Sequence, residues 1–400
     1  MQTQLADFIR NTPAGEEAEQ ILRACVHCGF CNATCPTYQL LGNELDGPRG
    51  RIYLMKQALE GTTPTARTLS HLDRCLTCRN CETTCPSGVR YGRLVDIGRE
   101  VVEQQVKRGF SDRLKRGLLR RFLLSPAFDA SLALGRAFRP VLPSRWRRSI
   151  PQRRAAGVRP PVRHTYRVLM PEGCVQPGLS PEINAATARV LDRLGISIID
   201  VPAVRCCGAI EQHLSAHDAA LERVKANIDA WWPHIEAGAR AVVMTASGCG
   251  AMVKDYGVLL AHDPAYAEKA RQVSALAVDI SELIAAQDLS VFRPTKKRVA
   301  FHPPCTLQHG QKLPGVVENI LTQLGFELTP VADKHLCCGS AGTYSLLQPE
   351  LAGQLKANKL KNLVAGEPEV IATANIGCQT HLASGSDLPV RHWICLLDEA

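Results

Sequence analysis

Four hundred residues leave room for two or three domains, and an ordinary apolar share of 45% with few aromatics argues against disorder. Seventeen cysteines is an odd total, and the start, MQTQLADFIRNTPAGEE, carries acid at Asp7 and Glu16 with no apolar core. This argues against a signal peptide and a secreted disulfide scaffold and predicts metal-binding thiols in a reducing compartment. The formal charge of +9 is concentrated: Lys107 to Arg167 holds seventeen Lys or Arg against Asp112 and Asp129, a balance of +15 that leaves −6 elsewhere. No run reaches the roughly 18 apolar residues of a membrane span, so no transmembrane segment is expected.

The first segment, 1–105, carries eight cysteines in two motifs. CVHCGFCNATCP (25–36) and CLTCRNCETTCP (75–86) both read C-x2-C-x2-C-x3-C-P. This is the run that holds two [4Fe–4S] clusters: three thiolates come from one tight loop and the fourth, before proline, from the other motif. The spacing predicts one cluster on Cys25, Cys28, Cys31 and Cys85, and a second on Cys75, Cys78, Cys81 and Cys35. The crossing would tie the two halves of a small domain together. Zinc is the alternative for four thiolates, but zinc sites usually draw on two separated C-x2-C pairs. GRIYLMKQALEG and GRLVDIGREVVEQQVKR around the motifs read as helices, predicting an α-helical ferredoxin-like domain. His27 and His71 are expected as polar neighbours of the loops, and His213 and His309 likewise further along.

Residues 106–165 form a basic segment without cysteine. RLKRGLLRRFLLSPAFDASLALGRAFR (113–139) sets Leu118, Leu119, Phe122, Leu123 and Phe128 beside Arg113, Lys115, Arg116, Arg120 and Arg121. It reads as a helix that packs on its own domains with a solvated basic face, or that docks on a membrane surface or partner. Nucleic-acid binding requires a recognised fold or stacking aromatics besides charge, and neither is visible. SRWRRSIPQRRAAGVRPPVRHTY then reads as a linker.

Residues 166–295 and 296–400 are two copies of one module. RVLMPEGC (167–174) matches RVAFHPPC (298–305). NAATARVLDRLG (184–195) matches GVVENILTQLG (315–325), both helical and both closing on a C-cap glycine. SIIDVP and FELTPV follow as strands, then VRCCGAI and HLCCGSAG, then AVVMTASGC (241–249) and EVIATANIGC (369–378). Cys174 to Cys206 and Cys305 to Cys337 have the same separation. Alternating strands and helices predict a C-terminal α/β domain with parallel sheets, the cysteines gathered at the rim where strands end. GCGAMV (248–253) echoes a dinucleotide fingerprint but lacks its third glycine, so no nucleotide site is expected.

With these motifs in this order, the chain resembles, over nearly its full length, a group of iron–sulfur electron-transfer subunits. The group includes those of anaerobic glycerol-3-phosphate dehydrogenase and of heterodisulfide reductase. ILRACVHCGFCNATCPTYQLLG, ELDGPRGRIYLMKQ, HLDRCLTCRNCETTCPSGVRY and TANIGCQTHLASG are similar in particular to the iron–sulfur subunits of bacterial glycolate oxidases (glycolate dehydrogenases). The resemblance implies partner flavoprotein subunits, carrying the FAD, that oxidise glycolate to glyoxylate. This chain would pass the electrons to a membrane quinone or another acceptor at the cytoplasmic side of the inner membrane. Lactate or glycerol 3-phosphate as substrate, or a zinc-binding assembly scaffold, are the other readings. In the fuller family pattern each module closes with C-x-x-C. Here Met252 and His381 stand at the closing positions. Each module therefore offers four thiols, Cys174, Cys206, Cys207 and Cys249, then Cys305, Cys337, Cys338 and Cys378 with His381, for a further iron–sulfur cluster or zinc, or as buried residues without metal. Cys395 has no counterpart and is expected to pack in the core.

Overall fold

The computed structural model describes residues 1–143, 147 and 150–400. Two compact units are present: Met1–Gly117 with His335–Leu355, and Leu118–Lys334 with Lys356–Ala400.

The first unit is helical. Its larger helices are Pro13–Ala24, Pro48–Leu59, Ala66–Asp73 and Tyr91–Gln105. Their starts are written locally: Thr12 caps the first by accepting from the Gly15 N–H at 3.1 Å with Pro13 following, and Thr65 and Thr68 form a reciprocal capping box. Leu22, Met55, Leu59, Leu72, Leu94, Val95 and Val102 are fully buried where these helices meet. Gly98 permits the approach, because a Cβ there would collide with the Met55 side chain. At this burial, truncating Leu72 to Ala would cost about 2–5 kcal/mol.

The second unit holds two parallel four-stranded sheets of the same design. The first comprises β1 (Tyr166–Leu169), β2 (Ile196–Ile199), β3 (Val242–Met244) and β4 (Ala277–Asp279) in the order β2-β1-β3-β4. The second comprises β5 (Arg298–His302), β6 (Glu327–Leu328), β7 (Val370–Thr373) and β8 (Val390–His392) in the order β6-β5-β7-β8. Tyr166 pairs with Ile196 and Val243 with Val278; Val299 pairs with Val370. Helices Glu182–Arg193 and Val316–Gln323 follow β1 and β5, and Gly195 (φ 76°) and Gly325 (φ 82°) turn the chain out of them. One hydrophobic core, including Val168, Val243, Val299, Phe301, Val370 and Trp393, spans both sheets.

Two features differ from the sequence expectation. β6 is only two residues long, because Pro330 in FELTPV has no N–H to extend the ladder. Each sheet also gains a fourth strand, β4 and β8, too short to stand out by alternation. Each ends on a residue that caps the next helix, Asp279 before Ile280–Ala285 and His392 before Trp393–Asp398.

The basic segment forms helices Phe110–Leu123 and Pro126–Phe138, in which no residue is buried. Arg108 and Arg116 are engaged with Asp73 at 2.7 and 2.9 Å. Phe110, Leu114, Leu118 and Phe122 recur every four residues and are all exposed, Leu118 at 57%, with the Phe122 ring meeting Phe128 edge-on at 5.8 Å between centroids, so most of this stripe is left uncovered. The start of the expected linker, residues 144–146, 148 and 149, lies outside the described residues. Among the described residues no helix is long and apolar enough to cross a membrane.

Candidate metal centres

The two C-x2-C-x2-C loops share one backbone solution. His27 (φ 59°) and Thr77 (φ 52°), each two residues after the first cysteine, are left-handed, as are Gly29 (φ 88°) and Arg79 (φ 58°) after the second. Left-handed residues curl a chain so that successive N–H groups point inward. The Thr77 N–H donates to Cys75 Sγ at 3.4 Å, and the His27 N–H makes the matching bond to Cys25. For threonine this conformation is strained, so the loop is held by its surroundings rather than by preference.

The loops close around two cavities. Cys25, Cys28, Cys31 and Cys85 line one, with Phe30, Ile52 and Pro86. Cys35, Cys75 and Cys78 line the other, with Arg51 and Tyr91, and Cys81 borders both. The electrostatics assign Cys81: burial first and then Cys78, Cys75 and Cys35 push its thiol well up. Burial and then Cys25, Cys28 and Cys85 raise Cys31 to about 11. Cys85 and Cys35 each therefore stand with the opposite motif. Short helices Phe30–Ala33 and Asn80–Thr84 bring the motifs side by side, with Asn80 Nδ2 donating to the Thr34 carbonyl at 3.0 Å and to the His335 carbonyl at 3.2 Å. Thiols that raise one another by repulsion suit a shared cationic core, which makes thiolates the favoured form. The donor sets therefore fit thiolate-held metal clusters.

Sequence reasoning missed the residues behind the second cavity. Arg51 is 1% exposed, and its Nη1 lies 4.0 Å from Cys35 Sγ. Its Nη2 donates to Thr37 Oγ1 at 3.1 Å and its Nε to the His71 carbonyl at 2.8 Å. The Tyr91 hydroxyl donates to Cys75 Sγ at 3.6 Å, and Thr37 Oγ1 lies 3.3 Å from Cys35 Sγ. An arginine in a helix Pro48–Leu59 that otherwise reads as amphipathic carries no sequence signal of its own. His71 is a polar neighbour here, 2.9 Å from Asp46.

In the first repeat Cys174, Cys206, Cys207 and Cys249 form one group in the second unit. Cys174, Cys207 and Cys249 line a cavity with Gln176, Val204 and Trp231. Hydrogen bonds from Cys174 and Cys207 pull Cys206 toward the thiolate. Gly208 (φ 91°) adds its N–H to Cys206 Sγ at 3.4 Å. The flanking carbonyls are also held: Asn227 donates to Cys206 O and Tyr256 to Cys207 O, each at 2.8 Å. Met252, at the closing position, is buried in the hydrophobic core with Cys207.

In the second repeat the doublet, within the first unit, repeats this geometry: Gly339 (φ 89°) donates to Cys337 Sγ at 3.4 Å, and Cys338 is fully buried. Any side chain is excluded at Gly339, where a Cβ would sit 2.8 Å from the Ala352 carbonyl. Cys305 and Cys378 are buried in the second unit, Cys305 in the turn that follows β5 and Cys378 in helix Ile376–Ala383, which follows β7. The sequence reading singled out His381, which is half-buried one turn beyond Cys378 in helix Ile376–Ala383. It missed His302, whose ring comes within 4.8 Å of Cys378 Sγ. His302 is fully buried, neither ring nitrogen has a hydrogen-bond partner among the described residues, and burial drives its pKa well below normal. Cys395 packs in the core, as expected.

The chain matches a 4Fe-4S dicluster domain at residues 21–89 and a cysteine-rich domain of the CCG type at 168–254 and 299–383. It is 60% identical to the glycolate oxidase iron-sulfur subunit of Escherichia coli (strain K12), across 100% of this chain and 99% of that one. It is 30% identical to the probable glycolate oxidase iron-sulfur subunit of Bacillus subtilis (strain 168), over 90% and 88%. One of the subunits of the dihydromethanophenazine:CoB–CoM heterodisulfide reductase of Methanosarcina barkeri is 24% identical over 95% and 94%. A helical dicluster unit, two parallel-sheet CCG repeats and full-length identity at this level place the chain in the family of glycolate oxidase iron–sulfur subunits.

Proposed function

We propose that this chain is the electron-carrying subunit of a glycolate-oxidising complex, in which glycolate becomes glyoxylate on the FAD of a partner flavoprotein. In this reading Cys25, Cys28, Cys31 and Cys85 hold one [4Fe–4S] cluster and Cys35, Cys75, Cys78 and Cys81 the other. Bound there, each cluster supplies a one-electron carrier, and two of them match the two electrons that glycolate releases. The chain's residues do the rest: the His27 and Thr77 N–H groups donate to sulfur, and Phe30, Ile52 and Pro86 line the first cavity beside its thiols. The observation that carries the reading is the crossing of Cys35 and Cys85 into the opposite motif's thiol group. The identity to the Escherichia coli protein supports the substrate.

The segments 1–105, 106–165, 166–295 and 296–400 serve as cluster domain, docking segment and two CCG modules. Cys174, Cys206, Cys207 and Cys249 offer a further iron–sulfur or zinc site, supported by their joined hydrogen bonds. Cys305, Cys337, Cys338, Cys378 and His381 are the corresponding candidates of the second module. The chain sits peripherally on the cytoplasmic face of the bacterial inner membrane and hands electrons to its quinone system. The stripe Phe110, Leu114, Leu118 and Phe122, flanked by exposed Arg113, Lys115 and Arg121, supports that location.

The test is purification with the flavin subunits, iron and sulfide analysis, EPR of the reduced protein, and glycolate-dependent dye reduction. Cys28→Ser or Cys78→Ser is expected to abolish electron delivery to the acceptor while glycolate still reduces the flavin. Zinc with no reducible signal, or normal delivery by both variants, overturns the proposal. For the membrane, Leu118→Glu with Phe122→Glu is expected to cut binding to anionic vesicles about tenfold or more, since each apolar side chain is worth about 1.5–3 kcal/mol on burial. Unchanged sedimentation with vesicles would sink the docking segment.

A further inference from the structure

The two cavities of the first unit solve the same electrostatic problem differently. One-electron reduction of a thiolate-held cluster adds a negative charge and makes or breaks no bond, so the potential follows how well the surroundings accept that charge. At the first group Cys25 is buried, but Cys28 is exposed and Cys31 and Cys85 are half-buried, so water supplies much of the response. The guanidinium that lines this cavity, Arg49, is over a third exposed and already paired with Glu44 at 2.6 Å. At the second group Cys35, Cys75 and Cys81 are buried, and burial alone would oppose an added charge. That place is taken by a fixed guanidinium. Arg51 is buried, faces Cys35 Sγ at 4.0 Å, and is locked by Thr37 and the His71 carbonyl.

Its formal counter-ion does not neutralise it. Asp46, 3.7 Å away, is shared with Arg74 at 3.0 Å, so two guanidinium groups face one carboxylate and a positive balance remains. The Tyr91 hydroxyl adds a neutral donor to Cys75 Sγ at 3.6 Å, and Tyr91 is itself 3% exposed. Hydrogen bonds and net charge at the sulfurs are the protein's main controls on such a potential.

We propose that Arg51 is a potential-setting residue: it raises the reduction potential of the cluster on Cys35, Cys75, Cys78 and Cys81, doing for the buried group what water does for the exposed one, and Tyr91 adds a smaller increment. The direction of this effect narrows the difference in potential that burial alone would open between the two groups. This rests on the cluster assignment above.

The test is a dithionite titration of the full chain, monitored by EPR, with iron and sulfide measured in parallel. Arg51→Gln is expected to lower one of two midpoints by at least a tenfold change in the reduction equilibrium, about 59 mV for one electron, and to leave the other in place. Arg51→Lys, which keeps the charge, is expected to recover most of the shift. Tyr91→Phe is expected to lower the same midpoint by less, and it keeps the proposal testable if Arg51→Gln does not fold. Full iron content with both midpoints unmoved, or both moved equally, overturns the proposal alone. Wild-type protein without the iron of two clusters overturns the assignment and this proposal with it.

Discussion

The two CCG repeats share strand order, helix ends and doublet geometry, yet they place opposite chemistries at the end of their last strands. β4 ends in Asp279 and β8 in His392, each 1% exposed and each capping the following helix. Asp279 accepts from the Ser281 N–H at 2.9 Å and Ser281 Oγ at 2.7 Å. His392 Nδ1 accepts from the Ile394 N–H at 3.3 Å, and its Nε2 lies 2.8 Å from the Thr245 carbonyl. Burial raises Asp279 to about 6 and lowers His392 to about 4, so both favour their neutral forms. The backbone device, a helix started by a buried acceptor, is what the repeat preserves; the side chain that performs it is free to change.

The largest effects come from separating these two caps. The raised Asp279 pKa stabilises the fold at low pH, and that contribution is lost as pH rises from about 4 through 6. The lowered His392 pKa works the other way, with stability gained as pH rises from about 4 to 6.5. Each is worth about 3 kcal/mol, so in the wild type the slopes largely cancel. Asp279→Asn should expose a stability that climbs with pH across this window, and His392→Asn one that falls. Urea midpoints followed by tryptophan fluorescence report this in the second unit, where Trp231 and Trp393 are buried. Two flat profiles would break the comparison.

The doublet glycines come next. Gly208→Ala costs only what its left-handed backbone demands, about 1–2 kcal/mol, since a Cβ there meets nothing closer than 3.5 Å. Gly339→Ala also meets the Ala352 carbonyl and should cost about 2–3 kcal/mol. Melting by circular dichroism should rank them in that order, and equal losses would show that the loop at Gly339 yields freely. The smallest effect is at the closing position. Met252→Leu, conserving volume in the core, should cost less than about 1.5 kcal/mol and leave iron content unchanged. A fall in iron with the fold intact would give Met252 a role beyond packing.

What was legible in the sequence followed how local the cause was. Both thiol loops, the paired modules and the glycines closing helices at Gly195 and Gly325 depend on neighbours within a few residues, and all could be read from spacing. The family followed from the same motifs. Arg51, Tyr91 and His302 could not be read, because each gains its meaning from a cysteine brought near by folding: Arg51 from Cys35, Tyr91 from Cys75, His302 from Cys378. β4 and β8 were hidden for a related reason, since three residues carry too little periodicity and their identity comes from pairing with β3 and β7. The exposed stripe of the basic segment lay between, its composition plain and its lack of burial visible only in three dimensions.

The make-up of the first unit bears on how the protein is born. Its strip His335–Leu355, including Tyr344 and the doublet Cys337–Cys338, is translated more than two hundred residues after Gly117. At about 5–20 residues per second, the ribosome takes roughly 10–45 s to reach it. The cysteine loops near the N-terminus therefore emerge long before the unit that shelters them is complete. During that interval the nascent thiols are open both to whatever loads metal and to whatever oxidises them, and completion of the cluster unit is timed by the last quarter of the chain.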